Sequence, residues 1–115
     1  APDPAGLVMT CNFFTAMPLI YHITTRADWE DAKKQGSYIS PSLADEGFIH
    51  CSETHQVPGV LERYFHGRTG LVKLVIETEK LTSTLTRDWS TVMSDTFPHV
   101  YGPLNLDAVV DVVEL

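Results

Sequence analysis

The order of apolar and polar residues predicts several short strands. Leu19 to Thr24 is an apolar and aromatic segment around one histidine, which is typical of a strand. Leu71 to Glu77 has the clearest pattern, because its apolar run is broken only by Lys73, which indicates burial on both faces. Further extended segments are predicted at 37–40, 48–51, 84–89, 97–101 and 108–115.

A first helix is predicted over Arg26–Gln35. Thr25 is a suitable N-cap, and the glycine at position 36 is the usual residue after a helix end. Trp29 and Ala32 lie on the face that we expect to point inward.

A second helix is predicted from apolar residues that repeat at helical spacing, with Pro58 in its first turn. These apolar residues are Val57, Val60, Leu61, Tyr64 and Phe65. The stretch 41–47 is rich in turn formers and predicts one helical turn begun by Ser42. The stretch 90–96 is predicted to be a loop.

Together these elements predict an α+β fold in a single compact domain over residues 19–115. Small antiparallel or mixed sheets would form a cleft, with two helices packed against them. A chain of 115 residues is long enough for one core and too short for two. Residues 1–18 are predicted to be an N-terminal extension, and removal of residues 1–16 is expected to leave the domain folded.

Composition excludes several classes of partner. Eight Lys and Arg against fifteen Asp and Glu give a formal net charge of −7, which argues against binding of duplex nucleic acid. The apolar runs are far shorter than the roughly 20 residues of a membrane span. Cys11 and Cys51 form no Cys-x-x-Cys pair, so two reduced thiols in a cytoplasmic protein are expected.

Three of the five histidines lie in similar surroundings. His22, His50 and His99 each sit in or beside a predicted strand near a turn rich in Pro, Gly or Ser, so we expect them to open onto one cleft. The alternative is that each one only braces the core through hydrogen bonds to the backbone. His55 and His66 are expected at the surface.

The sequence also bears on two other kinds of chemistry at these histidines, a nucleophile paired with a histidine and a metal site. Ser52 lies on the same strand face as His50, whereas Cys51 points to the opposite face, so His50 is not expected to activate Cys51. A pair of Cys51 with another histidine stays possible. The histidines show no metal-binding spacing, so no metal site is predicted.

Several blocks of sequence resemble a bacterial family, number 952 among the domains of unknown function, over residues 19–115. The blocks are Ile20-Tyr21-His22-Ile23-Thr24, Gly36-Ser37-Tyr38, Glu46-Gly47-Phe48-Ile49-His50-Cys51-Ser52 and Phe97-Pro98-His99-Val100-Tyr101-Gly102-Pro103-Leu104. That family is distantly similar to ADP-ribosyltransferase-like folds, which implies two small facing sheets with a nucleotide cleft between them.

The resemblance also implies roles for individual residues. His22 matches the polar residue on the first strand that holds the ribose of NAD. Tyr38, His50 or Ser52 matches the residue near the nicotinamide. Asp88 matches the late carboxylate that stabilises the cation formed as nicotinamide leaves. His99 and Tyr101 have no counterpart in those transferases and are predicted to line the same cleft.

Three hypotheses follow for function. In the first, the protein is an enzyme that processes an NAD-like nucleotide, such as an ADP-ribosyl- or phosphotransferase relative with NAD as substrate. In the second, it is a non-catalytic module that binds a small ligand or nucleotide. In the third, its histidines only brace the fold. Bound phosphates would need backbone N–H groups, protonated histidines, or Arg26 and Arg87. Nucleotide binding is then expected to strengthen from about pH 8 to 6, as His22 or His99 becomes protonated.

Overall fold

The computed structural model describes residues 18–115, so the predicted extension lies outside the described residues, apart from Pro18. Cys11 is outside them as well, and Cys51 is a buried free thiol. The helices are α1 (Arg26–Gln35), α2 (Pro41–Glu46) and α3 (Val57–Tyr64). The strands are β1 (Leu19–Thr25), β2 (Ser37–Tyr38), β3 (Ile49–His50), β4 (Leu71–Glu77), β5 (Thr84–Ser90), β6 (Asp95–Tyr101), β7 (Leu104–Asn105) and β8 (Val109–Glu114).

The strands form three antiparallel sheets. The first has the order β1-β4-β8, the second pairs β2 with β7, and the third has the order β3-β6-β5. We call the third one the cleft sheet. These sheets and the helices packed on them confirm the predicted α+β fold, and every strand pair is antiparallel rather than mixed.

Helix α1 begins and ends as the sequence predicts. The Thr25 side chain accepts a hydrogen bond from the N–H of Asp28 at 3.0 Å, and Gly36 closes the helix with a φ of +90°. The buried residues of this helix are Trp29 and Ala32, as expected. They join the central core against the first sheet, in which Leu74 and Ile76 are fully buried.

Two predicted segments have different bounds in the structure, and one strand was not predicted. The stretch 41–47 contains a six-residue helix rather than one turn, because Pro41 starts it and Gly47, with a φ of +90°, ends it. The stretch 90–96 is not a simple loop, because β5 runs to Ser90 and β6 begins at Asp95, so the two strands form a hairpin. The short strand β7 was not predicted at all.

The first sheet and the cleft sheet meet at a short backbone bridge. Tyr21 on β1 and Ser52 exchange backbone hydrogen bonds of 2.8 and 2.7 Å, and the N–H of Cys51 donates to the Pro98 carbonyl at 3.0 Å. The end of β3 therefore lies where the two sheets meet. Within residues 18–115, no helix is both long enough and apolar enough to cross a membrane.

Candidate functional site

A cleft of about 590 Å³ lies at the junction of the two sheets. Its base includes His22 and Ile23 from β1, together with Cys51 and Ser52 at the end of β3. A cleft of this size is within the range that small-molecule sites occupy.

Helix α3 and the tip of the β5–β6 hairpin form the sides of the cleft. Tyr64 and Phe65 line it from the end of the helix, and Trp89, Val92 and Met93 line it from the hairpin. Trp89 is 62% exposed and Tyr64 54% exposed, so large aromatic surfaces stand at the opening. The sides are thus apolar and aromatic, as in most ligand sites.

The predicted convergence of the three histidines on this cleft is confirmed: His22, His50 and His99 all line it. The register of the cleft sheet explains two of them, because His50 is paired directly with His99 across β3 and β6. Residues that are opposite in an antiparallel pair have side chains on the same face. Their ring centroids are 5.2 Å apart in an edge arrangement.

Phe48 supports both rings. It stacks on His99 with 4.0 Å between centroids and meets the His50 ring edge-on at 4.8 Å. Its backbone is fixed by the Ser42 hydroxyl, which donates to the Phe48 carbonyl at 2.8 Å. Helix α2 therefore sets the start of β3, and with it the position of His50.

Asp88 gathers three donors from the cleft sheet. His99 Nδ1 is 2.8 Å, the Tyr101 hydroxyl 2.6 Å and the Thr86 hydroxyl 3.0 Å from its Oδ2 atom. The hydrogen bonds from Tyr101 and His99 lower the pKa of the Asp88 carboxyl, and the same contact raises the pKa of Tyr101. Asp88 is therefore ionised at neutral pH and only accepts hydrogen bonds.

This arrangement fixes the tautomer of a neutral His99. Because Asp88 accepts, the hydrogen of the ring must be on Nδ1, and the lone pair is on Nε2. Nε2 makes no hydrogen bond with residues 18–115, and the side chain is 12% exposed. The structure thus provides an oriented imidazole with a free second nitrogen, on a residue that lines the cleft.

His50 forms a second pair with a carboxylate. Its Nε2 lies 3.2 Å from both carboxylate oxygens of Glu46, the last residue of α2. Glu46 also lines the cleft. Glu46 was not among the predicted site residues, although its place four residues before His50 was a usable signal.

His22 is held on both sides of its ring. Nδ1 is 2.5 Å from the His50 carbonyl, and Nε2 is 2.8 Å from the Tyr38 hydroxyl. A carbonyl can only accept, so Nδ1 donates to it, and Nε2 of a neutral ring accepts from Tyr38. Burial lowers the pKa of His22 to about 4, so the expected protonation of His22 between pH 8 and 6 is wrong.

The remaining predicted residues take different places. Ser52 lines the cleft and is buried, whereas Tyr38 lies in the core behind His22, with its hydroxyl 3.0 Å from that of Thr24. Asp88 and Tyr101 reach the cleft only through His99. Burial raises the pKa of the Cys51 thiol to about 12, so it is protonated at neutral pH and is a poor nucleophile.

No Lys or Arg from residues 18–115 lines the cleft. Arg26 is paired with Glu30 and Glu114, and Arg87 is 2.7 Å from Glu53. Of the groups that could hold a phosphate, Arg26 and Arg87 therefore do not line this cleft. No group of three or more potential metal ligands is present in the part of the chain that the structure describes.

The fold and the cleft define a small α+β protein with a histidine-lined cleft. The chain belongs to the family described as "Protein of unknown function (DUF952)", whose profile matches residues 23–112. This confirms the family resemblance seen in the sequence. The comparisons give no support for the more distant similarity to ADP-ribosyltransferases.

The chain is also similar to protein CC0527 from Caulobacter crescentus. Its crystal structure has 37% sequence identity and a TM-score of 0.77, and the match covers 84% of this chain and 85% of that one. Its solution NMR structure has 37% identity and a TM-score of 0.73, with 84% of each chain covered. No curated protein matches the chain.

Proposed function

We propose that the protein is an enzyme that holds the nucleoside part of an NAD-like or related nucleotide in the cleft and uses His99 as a general base. One observation carries this proposal: Asp88 binds Nδ1 of His99 at 2.8 Å and leaves Nε2 without a partner among residues 18–115, on a residue that lines the cleft. A positioned imidazole of this kind typically contributes about 10²–10⁴-fold to a reaction that involves proton transfer. Both a transferase and a hydrolase need such a base, since each must activate an acceptor O–H group.

The lining of the cleft supports an aromatic substrate that is neutral or cationic. Trp89, Tyr64 and Phe65 offer aromatic surface for a heterocyclic base, and Glu46 adds a carboxylate. Because no described Lys or Arg lines the cleft and the net charge is −7, phosphates would be placed poorly inside it. The nicotinamide riboside end of NAD, whose ring is cationic, suits this lining, with the pyrophosphate outside.

His22 and Tyr38 have a supporting role in this proposal. Both nitrogens of His22 are occupied, and one of them holds the backbone of His50. His22 is therefore assigned to positioning rather than to catalysis. Of the three histidines, His22 is thus the one that fits the hypothesis of a bracing role.

A binding module that retains the same ligand without turnover is the second candidate. The observation that favours it is the exposure of Asp88, whose side chain is 39% accessible. Catalytic charge pairs gain strength when water is excluded from them.

Calorimetry and product analysis with nicotinamide riboside, adenosine and NAD separate these functions. The proposal predicts binding of both nucleosides in the cleft and release of a free base by the wild type. His99→Gln should lower the release rate by about 100-fold or more, because it removes the base. His55→Gln is the matched control, since His55 is also paired with an aspartate, Asp95, at 3.2 Å and does not line the cleft.

The outcomes are distinct. Binding without release of base by the wild type would support the binding module instead of the enzyme. Absence of heat with all three compounds at millimolar concentration would reject both functions. Equal rates for His99→Gln and the wild type would reject His99 as the base.

A further inference from the structure

Two carboxylate–histidine pairs have their histidines side by side on the cleft sheet. Asp88 holds His99 through Nδ1, whereas Glu46 holds His50 through Nε2. The ring centroids of the two histidines are 5.2 Å apart, and Phe48 contacts both. The two imidazoles are therefore fixed in position but are held through opposite nitrogens.

Because a different nitrogen is hydrogen-bonded in each ring, a different nitrogen is left free in each ring. Nε2 of His99 and Nδ1 of His50 make no hydrogen bonds with residues 18–115, and both residues line the cleft. Glu46 supplies a negative charge beside the ring, which complements an imidazolium at His50. The two free nitrogens lie on neighbouring rings, so a proton can be donated from Nδ1 of His50 while another is accepted at Nε2 of His99.

We infer that the Glu46–His50 pair is a general acid that protonates the leaving group, and that the substrate is one whose leaving group needs this proton. This inference rests on the proposed function, because it assigns the second half of the same reaction. It narrows the substrate to a nucleoside whose base leaves as an anion unless it is protonated, such as a purine nucleoside. A pyridinium such as nicotinamide leaves as a neutral molecule and needs no acid.

The reaction balances with water as the acceptor. His99 Nε2 takes a proton from water, and the water oxygen forms a bond to the sugar carbon. The bond from that carbon to the base nitrogen breaks, and His50 gives its Nδ1 proton to the departing nitrogen. His99 then carries one proton more and His50 one fewer, and exchange with solvent restores both rings.

Rates of base release from adenosine and from nicotinamide riboside test this inference. For each variant we take the ratio of the adenosine rate to the nicotinamide riboside rate. His50→Gln should lower that ratio by about 100-fold or more, since general acid catalysis contributes about 10²–10⁴-fold. Glu46→Gln should lower it in the same direction, and His99→Gln should lower both rates without a comparable change in the ratio.

A second Glu–His pair, with Glu62 on α3 and His66 in the turn after it, provides the control. Glu62 and His66 have the same four-residue spacing and the same 3.2 Å contact, but both are exposed and neither lines the cleft. His66→Gln and Glu62→Gln should leave the ratio unchanged. A general loss of folding would affect both substrates together, so it cannot imitate a change in the ratio.

An unchanged ratio in His50→Gln would overturn the inference, and so would the absence of adenosine cleavage by the wild type. Cleavage of nicotinamide riboside alone, with loss of that activity in His99→Gln, would leave the proposed function in place. Absence of binding by either nucleoside would instead reject the proposed function itself.

Discussion

Single residues at the base of the cleft combine stability with positioning. His22 is buried, and its two nitrogens contact the His50 carbonyl and the Tyr38 hydroxyl. An imidazole in this setting is stable only when it is neutral. Acid should therefore act on the fold through His22 before it acts on the carboxylates.

The pH dependence of stability tests the state of His22. Its pKa falls from 6.5 to about 4 in the folded protein, so between these values the unfolded chain binds more protons. The contribution of His22 is complete above pH 6.5 and is lost as the pH falls to about 4, and it amounts to about 3 kcal/mol. Urea unfolding from pH 7 to 4 should show this loss in the wild type and a flatter profile in His22→Gln.

The matched control for that experiment is His55→Gln, because the His55 side chain is 71% exposed. This variant should keep the pH profile of the wild type. Identical profiles for the wild type and His22→Gln would show that His22 is not held in its neutral form.

Asp88 should control the rate rather than the affinity. In Asp88→Asn the amide can donate as well as accept, so the His99 tautomer with Nε2 as the base is no longer enforced. We expect kcat for release of base from nicotinamide riboside to fall by about 100-fold, with KM within a few-fold. A large change in KM with the same kcat would assign Asp88 to binding instead.

At the scale of elements, the cleft depends on how the β5–β6 hairpin is attached to the start of α3. The buried Gln56 side chain accepts from the Glu53 N–H at 2.8 Å and donates to Asp95 at 2.8 Å and to the Thr96 carbonyl at 2.7 Å. One residue therefore links the 3₁₀ turn at Thr54–Gln56 to the strand that carries His99. The spacing between the two sides of the cleft should depend on it.

Gln56→Ala should lower the free energy of unfolding by about 1–3 kcal/mol, because it removes the three hydrogen bonds of a buried side chain. Thermal unfolding would measure the loss, with the exposed Gln35→Ala as the control. A change no larger than that of Gln35→Ala would mean that the hairpin is held by other contacts.

The sequence predicted the elements that local signals define. Thr25 and Gly36 predicted the bounds of α1. The apolar run around Lys73 predicted a strand buried on both faces, and β4 is such a strand. It could not predict β7, because two residues form a strand only through their pairing with β2. The hairpin tip was misread because the strands on either side of it extend into polar residues, Ser90 and Asp95.

The sequence predicted the residues of the candidate site better than it predicted the contacts between them. That His50 lies opposite His99 depends on strand pairing between segments far apart in the chain, which no local pattern contains. The hydrogen bonds of Asp88 to His99 and Tyr101 follow from the register of β5 against β6. Burial of Tyr38 behind His22 likewise became visible only in three dimensions.

At the scale of the whole molecule, charge should decide which ligands the cleft accepts. The formal net charge is −7, and both Glu46 and Asp88 are close to the site. Salt shortens the range of such interactions from about 30 Å at 0.01 M to about 10 Å at 0.1 M. Over this range nicotinamide riboside, a cation, should lose affinity, NAD should gain affinity, and adenosine should change least. If calorimetry showed that nicotinamide riboside gains affinity and NAD loses it as salt increases, a basic binding site that is not described above would be indicated.

The central claim is that a nucleoside occupies the cleft beside His99, and ligand-induced NMR shifts test it most directly. Adenosine and nicotinamide riboside should shift the ring signals of His50 and His99 and the indole N–H of Trp89, all of which line the cleft. The signals of His66, which does not line it, should stay in place. Saturable shifts confined to the cleft are the predicted result. Shifts centred elsewhere, or none at millimolar nucleoside, would contradict the account.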